Sequence, residues 1–155
     1  MLLSSSMTAT NENLTPMAHA AQNRCFGCGE ANPVGLHLKF FLTEDGTVVC
    51  DAVLPDTYEG PQGYAHGGII ATLLDEAMSK AVRSRGVVAM TAKLEVEYKR
   101  PIPSSAAGEP RPVRLEGRVA RSEGRKHWVE ARIVDAGGIE LATGKGLFIE
   151  IRHRA

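Results

Sequence analysis

Residues 63–78 read GYAHGGIIATLLDEAM, and the reading of this stretch decides the fold. From Gly67 onward the apolar period is about 3.6 residues. Ile69, Ile70, Leu73, Leu74, Ala77, Met78 and Ala81 share one stripe, which predicts a long helix from Gly67-Gly68 to near Gly86. At 100° per residue, Asp75 lies roughly 150° from the centre of that stripe. Seven residues, or about 10 Å of helical rise, separate it from Gly68.

On both sides of this helix the period drops to two. Leu36, Leu38, Phe40 and Leu42 alternate, Asp45-Gly46 makes a turn, and Val48, Cys50, Ala52 and Leu54 alternate again, which predicts a hairpin. After the helix, Ala92, Leu94, Val96 and Tyr98 face one way and Lys93, Glu95, Glu97 and Lys99 the other, until Pro101 and Pro103 end the strand. Three more strands are expected at about 112–121, 126–135 and 139–151, with turns at Ser122-Glu123-Gly124 and Ala136-Gly137-Gly138. The expected architecture is α+β: a six-stranded antiparallel sheet wrapped around one long central helix, the hotdog plan. One helix leaves sheet edges uncovered, so self-association as a homodimer or homotetramer is expected. Residues 1–22 carry no apolar period and are expected to form a tail before one domain at 23–155.

The chain has 155 residues and a formal net charge of zero. Neither nucleic acid nor an anionic membrane is attracted by such a balance. The charge is uneven, however. Residues 99–126 hold eight basic and three acidic side chains, a local +5 that suits a small polyanion. Three cysteines, an odd number, point to a reducing, cytoplasmic setting. The opening MLLSSSM has too few leucines for a secretory core, and no run approaches the ~18 apolar residues of a membrane span.

The first amides of any helix lack intrahelical partners and point out at the positive end of its dipole. Gly67 and Gly68 leave those amides unshielded, a geometry suited to a carbonyl oxygen that gains negative charge. A base must come within ~3 Å of the proton it takes. Asp75 is too far along its own helix to share that carbonyl, but two antiparallel helices in a dimer bring the mouth of one beside the middle of the other. The same residues also fit a plain loop–helix turn and a solvated mid-helix Asp75-Glu76 pair.

AHGGIIATLLDEAM resembles the signature of hotdog-fold acyl-CoA thioesterases of the PaaI-like group, in the 4-hydroxybenzoyl-CoA thioesterase superfamily. CFGCGEANPVGLHLKF resembles a leader of these proteins, and TAKLEVEYKRPIP with the later EGRKHWVE resembles their long-chain acyl-CoA relatives. The likeness covers about residues 25–151. It implies hydrolysis of an acyl-CoA to free acid and CoA at a dimer interface, with no cofactor and no metal. Backbone amides near His66, Gly67 and Gly68 would polarise the thioester carbonyl. Asp75 from the partner subunit would be general base or nucleophile, and Thr91 would help position water. Lys99, Arg125 and Lys126 would contact CoA. Glu97 departs from the family's usual Asn at a ligand-contacting position. Thr91 shares the parity of the polar strand face, which is awkward for its implied role. An acyl-CoA hydratase or dehydratase, with His66 as acid–base partner, and a non-catalytic acyl-CoA-binding module are the alternatives.

Cys25 and Cys28 have the spacing of half a zinc site, but no second pair follows, so no metal is expected and the two are read as small groups shaping a glycine-rich loop. Trp128 is read as core or interface packing, with His127 and Glu76 exposed.

Overall fold

A computed structural model describes residues 13–105 and 109–151. Helix α1 runs Gly67–Arg83 and is capped by Ser84, with Gly86 at φ +77° turning the chain away. Its stripe of Ile70, Leu73, Leu74, Ala77, Met78 and Ala81 is buried, as the period requires. Seven strands form one antiparallel sheet around it: β1 Thr15–Pro16, β2 Phe41–Leu42, β3 Val48–Ala52, β4 Ala89–Tyr98, β5 Val113–Glu123, β6 Lys126–Val134 and β7 Glu140–Glu150. Their order is β1-β2-β3-β5-β6-β7-β4, so β4 is a ten-residue edge strand. This is the expected hotdog architecture, with seven strands rather than six.

The extra strand comes from the expected tail. Thr15 and Pro16 pair with Leu42 and Phe41, and the Met17 amide donates to the Phe40 carbonyl at 3.0 Å. Residues 15–17 of the expected tail are thus bonded to the sheet; residues 1–12, including the MLLSSSM opening, lie outside the described residues. The first hairpin is shorter than its alternation suggests. The Leu36 and Leu38 amides donate to the Phe26 and Gly27 carbonyls, so that stretch bonds the CFGC loop instead of a strand ladder. Leu38 and Phe40 are nonetheless buried.

The helix lies very close to the sheet. A Cβ on Gly117 of β5 would overlap the Ala77 carbonyl, and one on Gly144 of β7 would press on Met78 and Leu74. The inner face of β7 therefore runs Ala142, Gly144, Gly146, Phe148. Strand β4 pairs Tyr98, Val96 and Leu94 with Ala142, Gly144 and Gly146, which puts all three on the helix side. Between Thr91 and Lys93 the register slips: Thr91 pairs Phe148 but Lys93 pairs Leu147. Ala92 is the extra residue of a bulge. The bulge inverts parity, so Thr91 faces the helix while Lys93 faces out. The awkward parity of Thr91 is removed by this one residue.

Two sidedness expectations fail. His127 is buried, because its register partner Phe148 lies on the helix side; His127, Val129, Ala131 and Ile133 form one inward row. Its Nδ1 lies 2.8 Å from the Ser122 hydroxyl. Trp128 faces the other way, with the Arg121 guanidinium 3.7 Å above its ring. Glu76 is also not solvated: its side chain is 12 % exposed, covered by the Cys25–Cys28 loop and 3.9 Å from the Lys80 ammonium.

Helix α1 begins with a side-chain cap, the His66 Nδ1 accepting from the Gly68 amide at 2.9 Å. Removing a cap costs about 1 kcal/mol. His66→Ala is expected to lower stability to urea by that amount, and His66→Asn, which caps as well, to retain it. Gly117→Ala is expected to cost about 1–3 kcal/mol by overpacking against the helix backbone. Unfolding midpoints that do not move in Gly117→Ala would contradict this account of the helix seat.

Candidate active site

The strongest polar contact on the helix flank joins two residues singled out from sequence. The Thr91 hydroxyl donates to Asp75 Oδ1 at 2.6 Å. It is made possible by the Ala92 bulge, which turns Thr91 inward, and by the position of Asp75 off the apolar stripe, toward edge strand β4. Asp75 is half-buried. With Oδ1 engaged, Oδ2 is left to accept from a further donor.

The helix mouth lies two turns away, about 10 Å along the axis. Its amides are not equally available. The His66 amide donates to the Tyr58 carbonyl at 2.8 Å, and the Gly68 amide to His66 Nδ1. Among the described residues, the Gly67 and Ile69 amides meet no acceptor. An accepting Nδ1 places the His66 ring proton on Nε2. A Cβ on Gly67 would meet only Tyr98, at ordinary contact distances from 3.6 Å, so nothing inside the chain requires glycine there. At Gly68 a Cβ would press on the His66 ring at 3.1 Å. Tyr98 was assigned from sequence only to an apolar strand face. Its hydroxyl donates to the Gly67 carbonyl at 2.9 Å and ties the end of β4 to the helix mouth. A tyrosine as the last alternating residue before a strand-ending YKRP is the signal that could have pointed to it.

The basic residues do not gather in one place. The amides of Lys99 and Arg100 bond the Leu141 carbonyl, beside the start of β7. Arg125 binds the Glu150 carbonyl through Nε and Nη2 at 3.1 and 2.9 Å, at the other end of that strand. The nine steps of β7 from Leu141 to Glu150 span about 30 Å. Arg125 and Lys126 thus share an end of the sheet with Thr91, whereas Lys99 shares the helix-mouth end with Tyr98. Lys99 pairs with Glu140 at 2.8 Å, not with Glu97. That hydrogen bond raises the Lys99 pKa and lowers that of Glu140. Glu97 lines an outer-face groove with Lys99, Glu116, Arg118, Glu130 and Arg132, away from the helix. The local +5 is partly taken up in the same way, as Arg114 pairs with Asp51 and Arg118 with Glu130; Arg121 pairs with Glu123 inside the segment.

Known proteins share this fold. Among curated sequences, the acyl-coenzyme A thioesterase THEM4 of Xenopus laevis is 38 % identical over 115 residues, covering 72 % of this chain and 49 % of that protein. The chain thus spans about half the length of that curated relative. Among solved structures, a thioesterase superfamily protein superposes with a TM-score of 0.73 at 32 % identity, over 79 % of this chain and 61 % of that one. The BH2602 protein of Bacillus halodurans, solved with CoA, gives 0.65 at 26 % identity over 77 % of each chain. The PaaI protein of Escherichia coli, from the phenylacetic acid degradation operon, shares the fold with a TM-score of 0.67 at 18 % identity, over 76 % of this chain and 81 % of its own. The thioesterase superfamily model matches residues 62–142, from the loop before the helix mouth into the last strand, and the chain belongs to that superfamily.

Proposed function

We propose that the chain hydrolyses an acyl-CoA to a free acid and CoA at a site shared by two subunits. The observation that carries this reading is the Thr91–Asp75 pair beside an unpaired sheet edge. Acyl-CoA as substrate is supported by the name of the Xenopus relative and by the CoA in the Bacillus structure.

Edge strand β4 offers a free row of backbone donors and acceptors, which a second copy can pair by a two-fold. If all of Ala89–Tyr98 pairs antiparallel with itself, the axis falls between Lys93 and Leu94, and Thr91 stands opposite the partner's Val96, two residues from the partner's Tyr98. Thr91 holds Asp75, and Tyr98 holds Gly67. The pairing therefore carries the partner's helix mouth toward Asp75, and the partner's Lys99 to the end that holds Arg125 and Lys126. A polyanion such as the CoA phosphates suits that end.

In this arrangement Asp75 Oδ2 takes a proton from water while the water oxygen attacks the thioester carbonyl. The oxyanion is met by the partner's Gly67 amide at the positive end of its helix. The carbon–sulfur bond then breaks, and the thiolate leaves and is protonated. Thr91 fixes the carboxylate through Oδ1. The hydrolysis draws on no metal or prosthetic group. The three cysteines are free, which suits a cytoplasmic enzyme. No described helix is long and apolar enough to cross a membrane.

A thiol-release screen over aliphatic and aromatic acyl-CoAs tests the reading. General-base help is worth about 10²–10⁴ in rate. Asp75→Asn is expected to lose that factor with its urea unfolding unchanged. Full turnover in Asp75→Asn would overturn the mechanism. Hydration of an enoyl-CoA without thiol release would instead assign a hydratase, and tight CoA-ester binding without either would assign a binding module.

A further inference from the structure

The CFGC loop lies flush on the helix flank opposite the Thr91 contact. Gly27 has no room for a side chain, since a Cβ there would come 2.6 Å from the Glu76 carboxylate. The loop is a tight turn, with the Gly29 amide donating to the Cys25 carbonyl at 2.8 Å and the Cys25 amide to Asn23 Oδ1 at 2.9 Å. It presents both sulfurs to one carboxylate. Cys25 Sγ is 3.7 Å from each oxygen of Glu76, and the ligand atoms of Cys25, Cys28 and Glu76 all lie within 4.8 Å of one another. The pair that seemed to lack further ligands from sequence has a third, because Glu76 is buried rather than solvated.

We infer that Cys25, Cys28 and Glu76 form a zinc site that pins the leader loop to helix α1. Tetrahedral zinc with bonds of about 2.3 Å to sulfur and 2.0 Å to oxygen has edges of about 3.5 Å between sulfur and oxygen and 3.8 Å between sulfurs. The Cys25–Glu76 spacing of 3.7 Å is already close to the sulfur–oxygen edge, and the remaining spacings lie within 4.8 Å. Two thiolates and a carboxylate form a soft, borderline donor set that favours zinc over calcium or magnesium.

Charge balance agrees. The Glu76 carboxylate is balanced by the Lys80 ammonium 3.9 Å away. Zinc held by two thiolates adds no net charge, so the filled cluster with Lys80 is neutral. The fourth position opens into a cavity of about 360 Å³ lined by His19, Ser79 and Lys80, where water can complete the shell. His19 Nδ1 lies 3.2 Å from Lys80 Nζ; burial and then Lys80 lower its pKa. This site stands apart from the thioester chemistry, and its readout is metal content rather than turnover.

The test is elemental analysis of the full chain, expressed with zinc and dialysed against metal-free buffer, together with a cobalt(II) titration of the stripped protein. About one zinc per chain and a sulfur-to-cobalt charge-transfer band are expected. Cys25→Ser, Cys28→Ser and Glu76→Gln should each lose most of the bound zinc, while Asp75→Asn keeps it. A folded wild-type chain with neither zinc nor the cobalt band would overturn the inference, whatever the variants do. So would zinc that survives unchanged in Cys25→Ser, whose half-exposed position makes it the variant least exposed to misfolding.

Discussion

Helix α1 sits so close over β5 that the Ala77 carbonyl takes the place of a side chain at Gly117. Glycines at 144 and 146 extend the same close approach to β7, where Met78 fills the space they leave. With the helix fixed at this depth, its off-stripe residues must meet something on each flank. On one side Asp75 meets Thr91 of the edge strand. On the other, Glu76 meets the CFGC loop. Adjacent carboxylates on one helix are thereby put to different uses, and both uses follow from the depth at which the helix is seated.

Much of this was legible because it rests on periodicity. The 3.6-residue stripe marked α1, and the alternating runs marked β4 to β7 to within a few residues. The failures have a common cause. Thr91 was read on the wrong face because a single bulge residue, Ala92, has no mark in the alternation. Glu76 was assigned to solvent because its cover comes from a loop fifty residues earlier, which no local pattern records. His127 is different: it alternates with Val129, Ala131 and Ile133, and that inward row was present in the sequence. Its polar side chain outweighed the pattern in the reading. The short strand at Thr15–Pro16 carries no apolar signal, since it is held by backbone bonds to β2.

The candidate site shows the same division. His66, Gly67, Gly68 and Asp75 were picked out by type and spacing and Thr91 by resemblance alone; one chain joins Thr91 to Asp75 and His66 to Gly68, and leaves the two pairs apart. The +5 of residues 99–126 suggested a phosphate-binding surface, yet carboxylates from other strands pair three of those eight cations. Net charge along a sequence says little about a sheet whose neighbouring strands supply the counter-charges. What the fold does add is an ordering in space: Thr91 with Arg125 and Lys126 at one end of β4, Tyr98 with the helix mouth and Lys99 at the other.

Because a single chain keeps its two halves at opposite ends of an edge strand, the account stands or falls on their being joined between subunits. Subunit mixing reads this directly. Asp75→Asn and Gly67→Val, each inactive alone, are unfolded together and refolded. Random pairing makes half the dimers mixed, each with one intact site, so about a quarter of wild-type thiol release is expected to return. No recovery from a mixture proved to contain the mixed dimer would contradict the shared site.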